Sequence, residues 1–192
     1  MKAELASLSR CDLRFTFGSS GQLSQQIRNG APYDLFLSAS PAFVNNLKTL
    51  DKRVYAHGRL ALWSRSGTVS WSDLATSKVG RIAIANPKLA PYGLAARQAL
   101  ESQGLWPKVE SKIVYAENVR QAYQFTESGN ADVCLVSMSL VAGKNGFALQ
   151  SSWHQPIEQT AALLRDSPDA RKLFDYLTGP RGRDFFRRHG LE

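Results

Sequence analysis

The sequence predicts an α/β protein of two lobes, each with an open sheet, joined by two crossing strands. Strand-like and helix-like segments alternate along the chain, and the apolar run ADVCLVSM at 131–138 is typical of a strand in a parallel sheet covered on both faces. A strand-like segment at 159–164 then returns to the first group of elements, so the chain crosses twice. This order predicts a hinge and a ligand cleft at the carboxyl ends of the strands.

The first lobe is predicted from the order of its turn signals. Either Ser19 or Ser20 is placed to cap a helix whose apolar positions Leu23 and Ile27 lie one turn apart, and Asn29-Gly30 ends that helix. Ser40-Pro41 is a helix start, with a capping hydroxyl before a proline. The full prediction for this part of the chain is helix 2–9, strand 12–17, the capped helix, strand 35–39, helix 40–50 and strand 59–64.

The second lobe is predicted to begin at the crossing loop 65–68. A short helical turn at 71–74 precedes a strand at 81–85, and Asn118 is placed to cap the helix that Gly129 ends. The remaining predicted elements are helix 92–103, strand 112–115, strand 131–138, and the closing helices 168–178 and 181–189 of the first lobe.

The composition is that of an ordinary globular protein. Of 192 residues, 43% are hydrophobic and 21% charged, and no apolar run approaches the length of about 20 residues that crosses a bilayer. Cys11 and Cys134 lie far apart without metal-ligand spacing, so we expect ordinary thiols and no cofactor. The amino-terminal MKAELASLSR has no apolar segment typical of a secretory signal, which leaves cytoplasmic residence, a mature form or a truncated start as explanations.

The formal charge of +8 favours anionic partners without saying which. Part of it comes from the carboxyl-terminal RGRDFFRRHG, for which we favour an amphipathic helix with inward phenylalanines over a nucleic-acid contact. His57, His154 and His189 fall in unrelated segments with no acid or nucleophile at motif spacing. We therefore expect neither an enzyme nor a nucleic-acid-binding protein.

Three turns share the features of an anion site. Residues 18–21, 91–93 and 117–119 each lie between a predicted strand and a helix start, where backbone N–H groups and the positive end of the helix dipole point outward. Glu117 is the one acidic residue in these turns, and helix capping accounts for it. A set of donors without an acceptor suits a fully ionised tetrahedral anion, whereas a protonated phosphate would require a carboxylate partner.

The chain closely resembles the periplasmic molybdate-binding proteins of ABC transporters. The resemblance is carried, in order, by SSGQLSQQIRNGAPYDLFLSAS, RIAIANPKLAPYGLAARQALESQGLW, VYAENVRQAYQFTESGNADVCLV and FDYLTGPRGRDFFRRHG, which together cover nearly the whole chain. It implies a two-lobed periplasmic binding protein fold of the second type. Lobe one would comprise residues 1–64 and 159–192, and lobe two residues 65–158.

The resemblance also implies the ligands. Ser20 matches a hydroxyl donor, Tyr92 and Val119 match backbone amide donors, and Ser19, Asn118 and Ser137 are secondary candidates. Ser137 stands where many members have a tyrosine that reaches the oxyanion, and a subset places its tyrosine after the proline, as Tyr92 does here. In that subset the tyrosine is expected to shape the pocket as well.

The family begins with a strand and a turn that supplies a second lobe-one ligand. Met1 aligns inside the helix after that turn, so we expect this first strand and its ligand to be missing from lobe one. An internal methionine taken as the start, or a damaged gene, would account for this. Intact mass of the protein from its native source tests that interpretation.

The resemblance implies a monomer that captures molybdate or tungstate in the periplasm and delivers it to the membrane permease of an ABC transporter. No direct cation ligand is implied, because the metal is bound through its oxygens. The alternatives are an effector-sensing domain of the same fold, against which the lack of a helix-turn-helix segment counts, and a truncated homologue that no longer binds.

Overall fold

The structure is a computed structural model that describes residues 13–67 and 69–192. Its strands are β1 Leu35–Ser38, β2 Asp51–Gly58, β3 Leu60–Ser64, β4 Ile82–Ala85, β5 Ile113–Ala116, β6 Val133–Ser137, β7 Phe147–Ala148 and β8 Ile157–Leu163. Its helices are α1 Ser20–Arg28, α2 Ala42–Asn45, α3 Pro91–Ser102, α4 Trp106–Val109, α5 Val119–Glu127, α6 Met138–Val141, α7 Pro168–Thr178 and α8 Pro180–Arg188. Short 3₁₀ turns occupy Trp71–Ala75, Glu110–Lys112 and Ser151–Trp153.

The chain forms two compact units and passes from one to the other twice. Unit 1 contains the described residues up to His57 together with 158–192, and unit 2 spans 58–157. The predicted first lobe extended to residue 64, so the two divisions differ at β3. That strand pairs with β6 and β7 of the unit 2 sheet.

Unit 1 is a three-stranded sheet covered by helices on both faces. The strand order is β1-β8-β2, and β1 runs antiparallel to β8 with Phe36 opposite Ala162. Because side chains alternate along a strand, Phe36 and Ala162 join the core beneath α1 and α2. Ala161 and Leu163 point to the other face, where the phenylalanines of α7 and α8 pack. The α1–α2 layer and the α7–α8 layer therefore lie on opposite faces of this sheet.

Unit 2 is a five-stranded sheet in the order β5-β4-β6-β3-β7. β5 and β6 both pair with β4 in parallel, and β3 runs antiparallel to β6. All residues of β3, β4 and β6 are buried, as expected for strands covered on both faces. The prediction of a parallel-sheet strand from the apolar run at 131–138 is thereby confirmed.

Two predicted elements of the first lobe are wrong, and one was missed. The predicted strand 12–17 is not assigned over its described residues 13–17, where the rings of Phe15 and Phe17 stack at 6.3 Å. The helix predicted to reach residue 50 ends at Asn45, where two consecutive asparagines disfavour its continuation. β2 was missed because its charged first half hides the strand pattern. The predicted helix 2–9 lies outside the described residues.

Candidate functional site

The carboxyl ends of three neighbouring strands define one edge of the unit 2 sheet. β5, β4 and β6 are parallel and adjacent, and they end at Ala116, Ala85 and Ser137. Each end leads to a helix start, at α5, α3 and α6 respectively. Parallel strands end at the same side of a sheet, so Tyr92, Val119 and Ser137 are brought to this edge.

Three predicted residues at the start of α5, Glu117, Asn118 and Val119, have different roles. Asn118 is the cap, and its Oδ1 accepts a hydrogen bond of 3.0 Å from the Gln121 amide. The Glu117 amide donates to Gln121 Oε1 at 2.7 Å, so the cap uses that donor as well. Val119 is the first helical residue, and its N–H donates to no acceptor among the described residues. Asn118 therefore shapes the turn, and Val119 keeps the available amide.

The start of α3 is seated directly against the end of β4. Gly93 makes this possible, because a Cβ on this residue would lie 2.0 Å from the Ala85 carbonyl oxygen. The Asn86 amide donates to the Ala116 carbonyl at 2.7 Å and joins this turn to the end of β5. Tyr92, the second residue of α3, is thus held at the sheet edge by a backbone approach that no other residue type permits.

The Tyr92 side chain reaches the end of β6. Its hydroxyl accepts a hydrogen bond of 3.0 Å from Ser137 Oγ, and only 6% of the residue is exposed. Burial raises the pKa of Tyr92 to about 12, because the phenolate would lose its hydration. The tyrosine therefore stays neutral and keeps its hydroxyl proton throughout the physiological pH range.

The Ser137 hydroxyl is occupied by contacts within the protein. Besides donating to Tyr92, Ser137 Oγ accepts from the Ser139 amide at 3.3 Å and lies 2.8 Å from Ser139 Oγ. These contacts make Ser137 a support for Tyr92 and the cap of α6. Ser139 was not predicted; the Ser-x-Ser spacing at the end of a buried strand was the available signal.

In unit 1, the structure decides between the two serines that could cap α1. Ser19 is the cap: its Oγ donates to Gln22 Oε1 at 2.8 Å, and its amide donates to the same oxygen at 3.2 Å. Ser20 Oγ instead accepts from the Ala39 amide at 3.1 Å, which links the start of α1 to the end of β1. The Ser20 hydroxyl donates to no acceptor among the described residues, so its proton is available to a ligand.

At these helix starts the described residues supply hydrogen-bond donors. No group of three or more His, Cys, Asp or Glu side chains within the described chain is placed to hold a metal ion. The carboxylate nearest in sequence to the donors, Glu117, belongs to an exposed residue. Cys134 is buried without a disulfide partner, and burial raises the pKa of its thiol to about 12. Among the described residues, the groups that remain available at these helix starts are therefore hydrogen-bond donors.

Comparison with known proteins defines the class to which this fold and edge belong. A family model of bacterial extracellular solute-binding proteins matches residues 2–192, and the chain belongs to that family. The chain is 36% identical to the molybdate-binding protein ModA of Azotobacter vinelandii over 193 residues, which cover 91% of this chain and 77% of the relative. It is 35% identical to ModA of Rhodobacter capsulatus, with 92% of this chain and 75% of the relative covered.

A solved structure supports the same assignment. The periplasmic molybdate-binding protein of Azotobacter vinelandii superimposes with a TM-score of 0.87 at 31% identity, over 99% of this chain and 91% of that one. The predicted periplasmic binding protein fold and the resemblance to molybdate-binding proteins are both confirmed. No helix within the described part of the chain is both long and apolar enough to span a bilayer.

Proposed function

We propose that this chain binds molybdate or tungstate and delivers the anion to the permease of an ABC transporter. Ser20 supplies a hydroxyl donor, and Tyr92 and Val119 supply backbone amides. The observation that carries this proposal is the unit 2 edge, where helix starts follow neighbouring parallel strands. The similarity to proteins named for molybdate binding supports the choice of anion.

Charge explains why such donors suit this ligand. A hydrogen bond to a charged acceptor contributes about 1.5–3 kcal/mol, so a few neutral donors hold a dianion without a cationic side chain. Molybdate and tungstate are fully ionised at neutral pH and accept hydrogen bonds at every oxygen. Hydrogen phosphate carries a proton that is best matched by a carboxylate acceptor, and the predicted ligand set of Ser20, Tyr92 and Val119 contains no carboxylate. Discrimination against phosphate follows from this difference.

The proposed carrier role leads us to propose a cellular compartment and an oligomeric state for the protein. We place the protein outside the cytoplasmic membrane, in the periplasm, as a monomer that meets the permease at the membrane surface. Cell fractionation and size-exclusion chromatography test these two points. A permease whose ATPase activity rises with the loaded protein, and not with the anion alone, would establish delivery.

Thermal unfolding with molybdate, tungstate, sulfate and phosphate tests anion binding. A ligand at 100 times its dissociation constant stabilises the native state by about 2.7 kcal/mol, which is a measurable shift. We expect the largest shifts with molybdate and tungstate, and the smallest with phosphate. Unchanged melting with molybdate and tungstate would refute binding by this chain, and a preference for phosphate would refute the donor-only site.

A further inference from the structure

Helix α8 presents four arginines on one exposed face. These residues, here called the α8 basic face, are Arg181, Arg183, Arg187 and Arg188. The opposite face is buried through Phe185 and Phe186, which pack in the core of unit 1. The helix carries one acidic residue, Asp184, whose carboxylate lies 3.3 Å from Arg187 Nη1 in an exposed pair. Within the helix, Asp184 therefore offsets one of these charges, that of Arg187.

The helix dipole explains the positions of only two of these four arginines. Arg187 and Arg188 lie in the last turn, where cations interact favourably with the negative end of the helix dipole. Arg181 and Arg183 lie in the first turn, where the positive end disfavours cations and no acidic residue offsets them. Neither of these two arginines forms an ion pair among the described residues. Their placement indicates a role in contact with an external anion.

The helix that carries these charges is held firmly in place. A Cβ on Gly182 would lie 2.2 Å from the Leu177 carbonyl oxygen, so α8 packs directly against the end of α7. After α8, the Glu192 amide donates to the His57 carbonyl at 2.8 Å and ties the chain to β2. The α8 basic face is therefore displayed on a fixed scaffold.

The surroundings of the face distinguish between kinds of partner. Among residues 158–192 no large hydrophobic side chain is exposed, so α8 and its neighbour α7 offer no apolar anchor. Stable protein interfaces usually depend on such anchors, whereas anionic lipid headgroups attract clustered arginines without them. We propose that the α8 basic face binds the anionic surface of a lipid membrane by electrostatic attraction alone. This contact requires no bound oxyanion.

Vesicle sedimentation of the full chain tests this proposal. One set of vesicles contains equal parts phosphatidylglycerol and phosphatidylcholine, and the other contains phosphatidylcholine alone. We expect binding to the anionic set only, weakening as salt rises toward about 0.15 M, where the Debye length is about 8 Å. The double variant Arg181→Gln/Arg183→Gln should bind about 30-fold more weakly, as expected for two cations close to the surface.

A matched control separates local from overall charge. Arg28→Gln/Lys48→Gln removes the same charge from exposed residues of the α1–α2 layer, on the opposite face of the unit 1 sheet, and should bind like the parent. Arg181→Lys/Arg183→Lys should also bind like the parent, and thermal melts confirm that each variant folds.

Three results would overturn the proposal. The first is an equal loss of vesicle binding in Arg181→Gln/Arg183→Gln and in Arg28→Gln/Lys48→Gln. The second is equal binding of the parent to both vesicle sets. The third is that the parent binds no vesicles but still binds polyglutamate, an acidic polypeptide. The last would assign the α8 basic face to an acidic protein.

Discussion

Replacing Val119 by proline removes one predicted ligand donor with little expected harm to the fold. Val119 is the first residue of α5, the helical position at which proline is tolerated because its missing N–H has no intrahelical partner. The preceding Asn118 has φ −153° and ψ 170°, an extended conformation that a following proline allows. The cap between Asn118 and Gln121 does not involve the Val119 amide, so it should persist.

The expected effect on affinity follows from the lost hydrogen bond. A donor to a charged oxygen contributes about 1.5–3 kcal/mol, so molybdate affinity should fall by about 10- to 150-fold. Isothermal titration calorimetry measures this change. Val119→Ala is the control, because it shortens the side chain and keeps the backbone amide N–H. If the proline and alanine variants bind molybdate equally while both melt like the parent, the Val119 amide is not a ligand.

The remaining predictions concern Ser20, Gly93 and the pH dependence of stability. Ser20→Ala should lower molybdate affinity by about 10-fold or more and cost about 1–3 kcal/mol of stability, since the partly buried Ala39 amide loses its acceptor. Gly93→Ala should destabilise the protein by about 3 kcal/mol in urea unfolding, because its Cβ would meet backbone 2.0 Å away. Stability should fall as pH rises from about 9 toward 12, because Tyr92 and Cys134, with pKa values of about 12, stay protonated in the native state after their unfolded counterparts ionise.

Each of these predictions has a control within the chain. Ser24 is also buried on α1, and its hydroxyl donates to the Phe43 carbonyl at 2.8 Å, so Ser24→Ala should cost similar stability and leave affinity unchanged. A Cβ on Gly30 would meet no atom within 4 Å, so Gly30→Ala should lower the stability by about 1 kcal/mol, and this cost arises from the positive φ of 90° alone. Cys134→Ala should reduce the alkaline loss of stability. Equal affinity losses in the two serine variants, equal costs in the two glycine variants, or an unaltered alkaline slope would contradict the respective reasoning.

Local chemistry made several features predictable from sequence. Asn118 and Ser19 cap helices because a short polar side chain before a helical segment satisfies an amide of the first turn. Gly30 and Gly129 end helices with φ values of 90° and 82°, which other residues rarely adopt. The apolar run at 131–138 predicted a buried strand, and Val133–Ser137 forms one.

The failures occurred where the outcome depends on a distant partner. Residues 13–17 alternate in sequence like a strand but are not assigned as one, and β2 becomes a strand through its pairing with β8. The choice between Ser19 and Ser20 depended on Ala39, which lies 19 positions further along the chain than Ser20. No local signal reports such a contact.

The sequence alone determined the α/β class, the family resemblance and the helix starts that carry the predicted donors, because capping, periodicity and glycine conformation are short-range properties. Only the tertiary structure decided which donors remain available. It engages Ser19 and Asn118 in caps and joins Ser137 to Tyr92, whereas the Ser20 hydroxyl and the Val119 amide donate to no acceptor among the described residues. A hydrogen-bond donor serves one strong acceptor at a time, so its role depends on which acceptors folding brings within reach.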